Sequence, residues 1–319
     1  MNVCVTGGTG FVGGALVNRL LANGEFVRVL ARPSRRADAL ASQGVDVVRG
    51  DLRDGQAVAR AFAGTDVVYH VGAKVEGRGG QTEYFETNVG GTQRVLQACL
   101  QQGVKRVVYI SSIAVYGPMR GGDAINEDTP FDDAPSERDF YAQSKIEADR
   151  FAADFARKTW LALTILRPGI VFGPGRPLPV GLLGARLGKV GIVIGSRGQR
   201  IPLNYIENLV DAMELAAAAM DRGFRQYIVI DDENLTLGEY HSARDEVETG
   251  RTLFIPSWPV AMAAACLLLP AREGAFSRRQ ILRAIEDRKY DTRRIRAETM
   301  WVPSVSLKEA IRRTVAATP

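Results

Sequence analysis

Tyr141 and Lys145 lie four residues apart in the run Tyr141-Ala-Gln-Ser-Lys145, inside a stretch whose apolar spacing predicts a helix over 139–159. At that spacing a phenol and an ammonium share one helix face. A free phenol ionises near pH ~10, too high for proton transfer near neutrality, and a neighbouring cation favours its phenolate. The pair is therefore a candidate general acid–base couple. Surface helices also carry such pairs by chance, so context decides. Ser111 and Ser112 close a β-branched run that predicts a strand over 106–111. A hydroxyl at the carboxyl end of a parallel strand sits where open α/β sheets bind their ligands.

A second chemistry opens the chain. Asn2-Val-Cys-Val-Thr6 is followed by Gly7-Gly-Thr-Gly10-Phe-Val-Gly13-Gly14, and then by a helical pattern with Phe11, Ala15, Leu16 and Leu20 apolar and Asn18 and Arg19 polar. That order is strand, glycine turn, helix N-terminus. Glycines let the backbone approach a pyrophosphate, and unpaired amides with the helix dipole neutralise it. Glycine-rich turns also close ordinary βα units, so the turn alone is weak.

The elements that must position these groups alternate. Strands are expected at 26–31, 45–50, 67–70, 106–111 and 163–166, with helices near 35–42, 55–63, 82–102 and 139–159. A helix at 206–221 and a strand at 225–230 return to the same sheet. This order implies an α/β fold, a Rossmann doubly wound parallel sheet with ligands at the carboxyl ends of its strands. From Arg167 the chain reads Arg-Pro-Gly-Ile-Val-Phe-Gly-Pro-Gly-Arg-Pro-Leu-Pro, a composition incompatible with regular helix or strand. It marks the crossing into a smaller C-terminal substrate-binding lobe. Residues 1–166 plus about 203–230 form the dinucleotide-binding unit; about 167–202 plus 231–319 form the lobe.

Composition narrows the function classes. With 46% apolar and 24% charged residues the chain is an ordinary globular protein rather than a disordered or fibrous one. The net charge of +5 is densest over 272–296, read as a solvated helix face in preference to a site for an anionic tail or a membrane surface. Aromatic interleaving is absent there, so nucleic acid is set aside. Cys4, Cys99 and Cys266 are separated and in apolar contexts, which predicts reduced thiols and a cytoplasmic location. No secretory leader is expected, because the first residues already read as a strand. The apolar run 260–269 is shorter than the ~20 residues of a membrane span. It is expected to be a buried helix, with a pocket wall or a membrane contact as the alternative. His70 and His241 are too isolated to suggest a metal site.

Seven motifs in order make the chain resemble an extended short-chain dehydrogenase/reductase, the group of NAD(P)-dependent sugar epimerases, dehydratases and related reductases. They are Thr6-Gly-Gly-Thr-Gly-Phe-Val-Gly13, Gly50-Asp51-Leu52, His70-Val-Gly-Ala73, Asn88-Val-Gly-Gly-Thr92, Ser111-Ser-Ile-Ala-Val-Tyr-Gly117, Tyr141-Ala-Gln-Ser-Lys145 and Arg167-Pro-Gly-Ile-Val-Phe-Gly-Pro174. The resemblance implies that Gly7, Gly10 and Gly13 form the pyrophosphate turn, with the Phe11 and Val12 amides facing phosphate. It implies that Asp51 and Leu52 border the adenine, and that Val71, Gly72 and Ala73 pass the ribose nearest the nicotinamide. It makes Tyr141 the proton donor or acceptor and Lys145 the group that holds the nicotinamide ribose and lowers the tyrosine pKa. Ser112, rather than Ser111, takes the position that hydrogen-bonds the reacting oxygen; Asn88 orders the site, and Pro168 and Gly169 border the nicotinamide.

Cofactor and reaction are read from departures. An acidic residue after the second strand would accept hydrogen bonds from the adenosine ribose and repel a 2′-phosphate. This chain has Arg32 there, with Arg35 and Arg36 behind it and Asp38 too deep in the next helix to substitute. Guanidinium groups suit a phosphate. NADP is expected, with NAD as the alternative. Dehydratases of the group follow the hydroxyl position with Asp-Glu; Ile113 and Ala114 stand here, so dehydration is not expected. A reductase or dehydrogenase acting on a small-molecule carbonyl or alcohol is favoured over a nucleotide-sugar epimerase, partly because Arg200 stands one place early for a diphosphate-binding arginine. Arg197 and Arg200 either hold a diphosphate or edge a loop. The likeness is nearer the hydroxysteroid-dehydrogenase-like and dihydroflavonol-reductase-like branches, and it implies a homodimer through helices 82–102 and 139–159.

Overall fold

Strand and helix alternate from the first residues: β1 (Asn2–Thr6), α1 (Phe11–Ala22), β2 (Phe26–Ala31), α2 (Arg35–Ser42), β3 (Asp46–Arg49), α3 (Gly55–Phe62), β4 (Val67–His70), α4 (Gln81–Tyr84), α5 (Gly91–Gln101), β5 (Arg106–Ile110), α6 (Phe140–Lys158) and β6 (Ala162–Pro168). There follow β7 (Ile170–Phe172), β8 (Gly184–Leu187), β9 (Val190–Ile194), β10 (Leu203–Tyr205), α7 (Ile206–Ala218), β11 (Phe224–Val229), α8 (Leu237–Glu248), β12 (Arg251–Ile255), α9 (Arg293–Thr299) and α10 (Leu307–Ala316). This computed structural model describes residues 1–75, 77, 79–117, 123–176, 178–179, 184–219, 223–256 and 287–317. The apolar run 260–269, Cys266 and positions 272–286 of the basic segment lie outside the described residues.

Seven strands form one parallel sheet in the order β11-β6-β5-β4-β1-β2-β3. Every residue of β4 and β6 is buried, as expected of strands covered on both faces. Leu16, Val17 and Leu20 of α1, Leu209, Val210 and Met213 of α7, Ala37 of α2 and the buried Trp301 fill one face. Helices α3, α5 and α6 fill the other with Phe62, Val95, Leu96, Ala148 and Ala152. Because the strands are parallel, their carboxyl ends share one edge. Chain order reverses between β1 and β4, and such a switch point opens a crevice at that edge. The seven-stranded sheet is thus the Rossmann doubly wound sheet the sequence implies. Beside it, β7 pairs with β10, and β8, β9 and β12 form a three-stranded sheet packed through Val193 and Phe254 into a cluster with Tyr240, Leu237 and Ile311.

Two elements differ from expectation. Strand β6 runs on through Arg167 and Pro168, and β7 follows at once, where irregular chain was expected from Arg167. Proline is tolerated because β5 stops opposite Leu166, so Pro168 has a ladder partner only in β11, at Val229. The expected helix 82–102 is broken by a π-helical stretch, Phe85–Gly90, between α4 and α5. There Gly91 packs on Leu52, and a Cβ on it would lie 3.1 Å from the leucine Cβ.

Candidate active site

The carboxyl-edge crevice is a cavity of about 970 Å³. The segments after β1, β2, β3, β4 and β5 and the end of β6 all contribute to its lining. Gly7, Gly10, Phe11, Val12, Gly13, Arg32, Asp51, Leu52, Val71, Gly72, Ala73, Ser112, Tyr141, Lys145, Pro168 and Gly169 are among the lining residues. Arg35 and Asn88 are not.

The turn after β1 is built for close backbone approach. Gly7 takes φ +75, and a Cβ on it would meet the Gly72 backbone at 2.7 Å; a Cβ on Gly13 would lie 2.2 Å from the Gly7 carbonyl. The N-cap of α1 is Gly10, which supplies no side-chain hydrogen bond, so the first amides of the helix are left for another acceptor. This cradle fits a pyrophosphate at a helix N-terminus.

Past β2, Arg32, Pro33, Ser34 and Arg36 line the cavity. Arg36, not Arg35, reaches it and donates to the Thr9 carbonyl at 3.3 Å. Ser34 caps α2 by accepting from Ala37 N, and the helix rotation that follows leaves Arg35 on the outer surface. Asp38 pairs with Arg49 instead of facing the cavity. Asp51 is gripped by Arg53 at 2.9 Å, and that guanidinium, ahead of Arg32, holds its carboxyl below the usual range.

The candidate proton-transfer groups follow β5 and open α6. Asp139 caps α6 by accepting from Ala142 N at 2.8 Å, which puts Tyr141 in the first turn and Lys145 one turn deeper. Ser112, whose Oγ accepts from Ala114 N at 3.1 Å, lines the cavity together with Tyr141. Burial holds the Tyr141 phenol above its ordinary range; the Ser112 hydroxyl opposes this, and so does the charge of Arg176. Lys145, expected to pull the phenol down, instead donates to the Ile110 carbonyl at 2.8 Å and lies over the Tyr109 ring at 5.0 Å. Burial lowers its own pKa to about 8, against the pull of Asp149.

Other buried polar groups hold this arrangement together. Asn88, buried in the π-helical stretch, donates to Ser144 Oγ and to the Lys74 carbonyl and accepts from Lys74 N at 2.7 Å. It ties the segment after β4 to α6 without touching the cavity. His70 bonds Thr6 and Thr92, and burial pushes its imidazole down to about 3, so it is neutral and structural. The Gly169 amide donates to Asn204 Oδ1, while Asn204, Tyr205 N and Asn208 all donate to Asp231. Beneath α6, Arg167 is bidentate to Asp149 at 2.9 and 2.8 Å and donates to Tyr116 OH at 2.6 Å.

Arg197 and Arg200 do not line the cavity. Arg197 lies over Phe254 at 5.0 Å, and Arg200 pairs with Asp287. In the described part of the basic segment, Arg293 pairs with Asp291 and Arg294 with Asp128. Among the described residues no cluster of His, Cys, Asp or Glu could hold a metal, and no helix is long and apolar enough to cross a membrane. Cys4 and Cys99 are buried free thiols.

Residues 3–230 match the model of the NAD dependent epimerase/dehydratase family. The chain is 36% identical over 254 residues to a 2-alkyl-3-oxoalkanoate reductase of Stenotrophomonas maltophilia, covering 75% of this chain and 73% of the relative. It is 31% identical over 326 residues to sterol demethylase protein B of Methylococcus capsulatus, covering 95% and 94%. Among solved structures, UDP-glucose 4-epimerase of Thermus thermophilus in complex with NAD superposes with a TM-score of 0.73 at 26% identity, covering 99% and 98%. The chain belongs to the NAD-dependent epimerase/dehydratase family, the extended short-chain dehydrogenase/reductases.

Proposed function

We propose that the protein interconverts a carbonyl and an alcohol by hydride exchange with a diffusible NADP(H), rather than epimerising a nucleotide sugar on a retained NAD. The observation that carries this preference is the position of Arg197 and Arg200, engaged with Phe254 and Asp287 outside the cavity, where neither faces a substrate diphosphate. Arg32, just past β2, and Arg36, in the first turn of α2, support the 2′-phosphate, since a guanidinium binds phosphate bidentately and the carboxylates Asp51 and Asp38 are paired with Arg53 and Arg49. The reductase relative supports the reaction class; the 3-oxoalkanoate that names it is the first carbonyl compound to try.

The Gly7–Gly13 turn and the first amides of α1 would hold the pyrophosphate, with Val71–Ala73, Pro168 and Gly169 bordering the nicotinamide. When bound, the nicotinamide gives or accepts the hydride. Tyr141 OH and Ser112 Oγ together hold the reacting oxygen. Tyr141 passes its proton to that oxygen in reduction and takes it back in oxidation. The Lys145 ammonium, one turn below, would hold the nicotinamide ribose hydroxyls. Residues about 167–202 and 231–319 form the substrate lobe in this reading, and the protein works as a cytoplasmic homodimer.

Mass spectrometry of the protein as purified tests the choice of reaction. A dinucleotide-free protein that binds NADPH more tightly than NADH is the expected result. Stoichiometric NAD surviving gel filtration would return the assignment to an epimerase.

A further inference from the structure

The three-stranded sheet of β8, β9 and β12 has two unlike faces. On the inner one Val193 and Phe254 enter the cluster with Tyr240 and Leu237, Arg186 pairs with Asp245 and Glu248 of α8, and the Thr252 hydroxyl donates to Asp245 at 3.0 Å. Side chains alternate along a strand, so the residues between these point the other way. Register sets them in rows across the sheet: Leu187 beside Val190, Ala185 beside Ile192 and Leu253, and Ile194 beside Ile255.

Where a sheet covers a core on one side only, its outward residues are ordinarily polar. Here they are aliphatic and open: Leu187 is 81% exposed, and Val190, Ile192, Leu253 and Ile255 are between 40% and 44% exposed. Contiguous apolar surface of this kind marks a place of contact with another body.

Its composition selects the kind of body. Residues 184–194 and 251–255 contain no Asp or Glu, and their single aromatic residue, Phe254, packs on the inner side. The cores of protein–protein interfaces are enriched in aromatic residues. This face offers aliphatic side chains alone. Its charges are two cations at one end, Lys189 and Arg251, set side by side by the bond from Arg251 N to the Lys189 carbonyl at 2.9 Å. At the other end the chain leaves at Ile255. Its sequence continues Pro256-Ser-Trp-Pro-Val-Ala-Met-Ala-Ala-Ala-Cys-Leu-Leu-Leu269, and then brings Arg272, Arg278, Arg279 and Arg283 against Glu273. An aliphatic plane with cations beside it matches a lipid interface, where apolar side chains enter the boundary of headgroup and acyl chain and Lys or Arg meet anionic headgroups.

We propose that the outer face of β8, β9 and β12 is a docking surface for an anionic lipid bilayer, on which the protein rests without crossing it. The inference is independent of the reaction assigned above.

The test uses the full-length protein and vesicles of equal parts phosphatidylglycerol and phosphatidylcholine, with vesicles of phosphatidylcholine alone beside them. Co-sedimentation should carry the protein down with the anionic vesicles and leave most of it behind with the neutral ones. Ile192→Glu combined with Leu253→Glu should weaken that binding at least about tenfold, since burying one aliphatic side chain is worth about a factor of ten or more. Circular dichroism reads the melting midpoint of the variant; if it falls, Leu187→Glu at the open edge of the sheet replaces it and should also weaken binding. An unaltered protein that stays in the supernatant overturns the proposal. So does anionic-vesicle binding that the variants retain, which would assign the lipid contact to other cations of the chain. Ultracentrifugation without lipid is read separately. An assembly of copies that Leu187→Glu dissociates, with no vesicle binding, would make this face a contact between two copies and overturn the proposal as well.

Discussion

Replacing Asp149 by Asn should cost about 3–5 kcal/mol of stability, the loss for removing one partner of a buried ion pair. Both side chains are essentially sealed, at 1% exposed for Arg167 and 0% for Asp149, so water cannot take over the guanidinium. Two charge-assisted bonds, at 2.9 and 2.8 Å, meet the carboxylate. The amide keeps one acceptor and turns an NH₂ toward a donor. Tyr116 OH and Gln226 Oε1 still accept from Arg167, but neither carries charge. Domains of this kind are stable by about 5–15 kcal/mol, so the loss is a large share of the total. Guanidinium chloride unfolding followed by circular dichroism should show a lower midpoint at an unchanged m-value. Asp149→Leu combined with Arg167→Met should lose less than Asp149→Asn alone, since no uncompensated charge remains. A loss under about 1 kcal/mol in the single variant, or a larger loss in the double, refutes the reasoning. The same change should move the Lys145 titration below its present value of about 8, because the charge that opposes its desolvation is gone.

Tyr141→Phe should lower turnover at least about a hundredfold while NADPH binding persists; unchanged turnover sinks its role as the proton donor. Gly13→Ala should abolish cofactor binding in a fluorescence titration, because its methyl would sit 2.2 Å from the Gly7 carbonyl; retained affinity would mean that the turn is not the cradle. His70 is neutral in the fold with its pKa near 3, against about 6.5 in the unfolded chain. The unfolded state therefore binds the extra proton between those values, and this contribution to stability is complete above pH ~6.5 and lost as pH falls toward 3. His70→Asn should flatten the slope of stability against pH between 4 and 6, and an equal slope in both proteins would reject the assignment. Arg32→Asp should raise the preference for NAD, and an unaltered NADP/NAD ratio would remove Arg32 from the phosphate position.

The glycine turn and the Tyr141–Lys145 spacing were legible because each depends on local geometry: a turn of fixed length, and one turn of helix. The parallel sheet followed from the alternation of strand and helix; its strand order came only with the structure. The choice between Arg35 and Arg36 was not legible, since it depends on where the Ser34 cap starts α2. Asn88 stood out only through the resemblance, and its partners Ser144 and Lys74 depend on a π-helical stretch that no apolar periodicity marks. The Arg167–Asp149 pair and the Gly169–Asn204–Asp231 chain join residues on separate elements, and single-sequence spacing carries no record of such partners.

The bond from Lys145 to the Ile110 carbonyl spans the whole excursion from β5 to α6. It fastens the strand that leads into Ser112 to the helix that bears Tyr141 from beneath, within the sheet core. The described residues between them are held on their own account, Tyr116 OH accepting from Arg167 at 2.6 Å and Asp132 from Arg138 at 2.6 Å. The register of the two hydroxyls therefore has an anchor of its own, sealed below the cavity where solvent cannot compete for it.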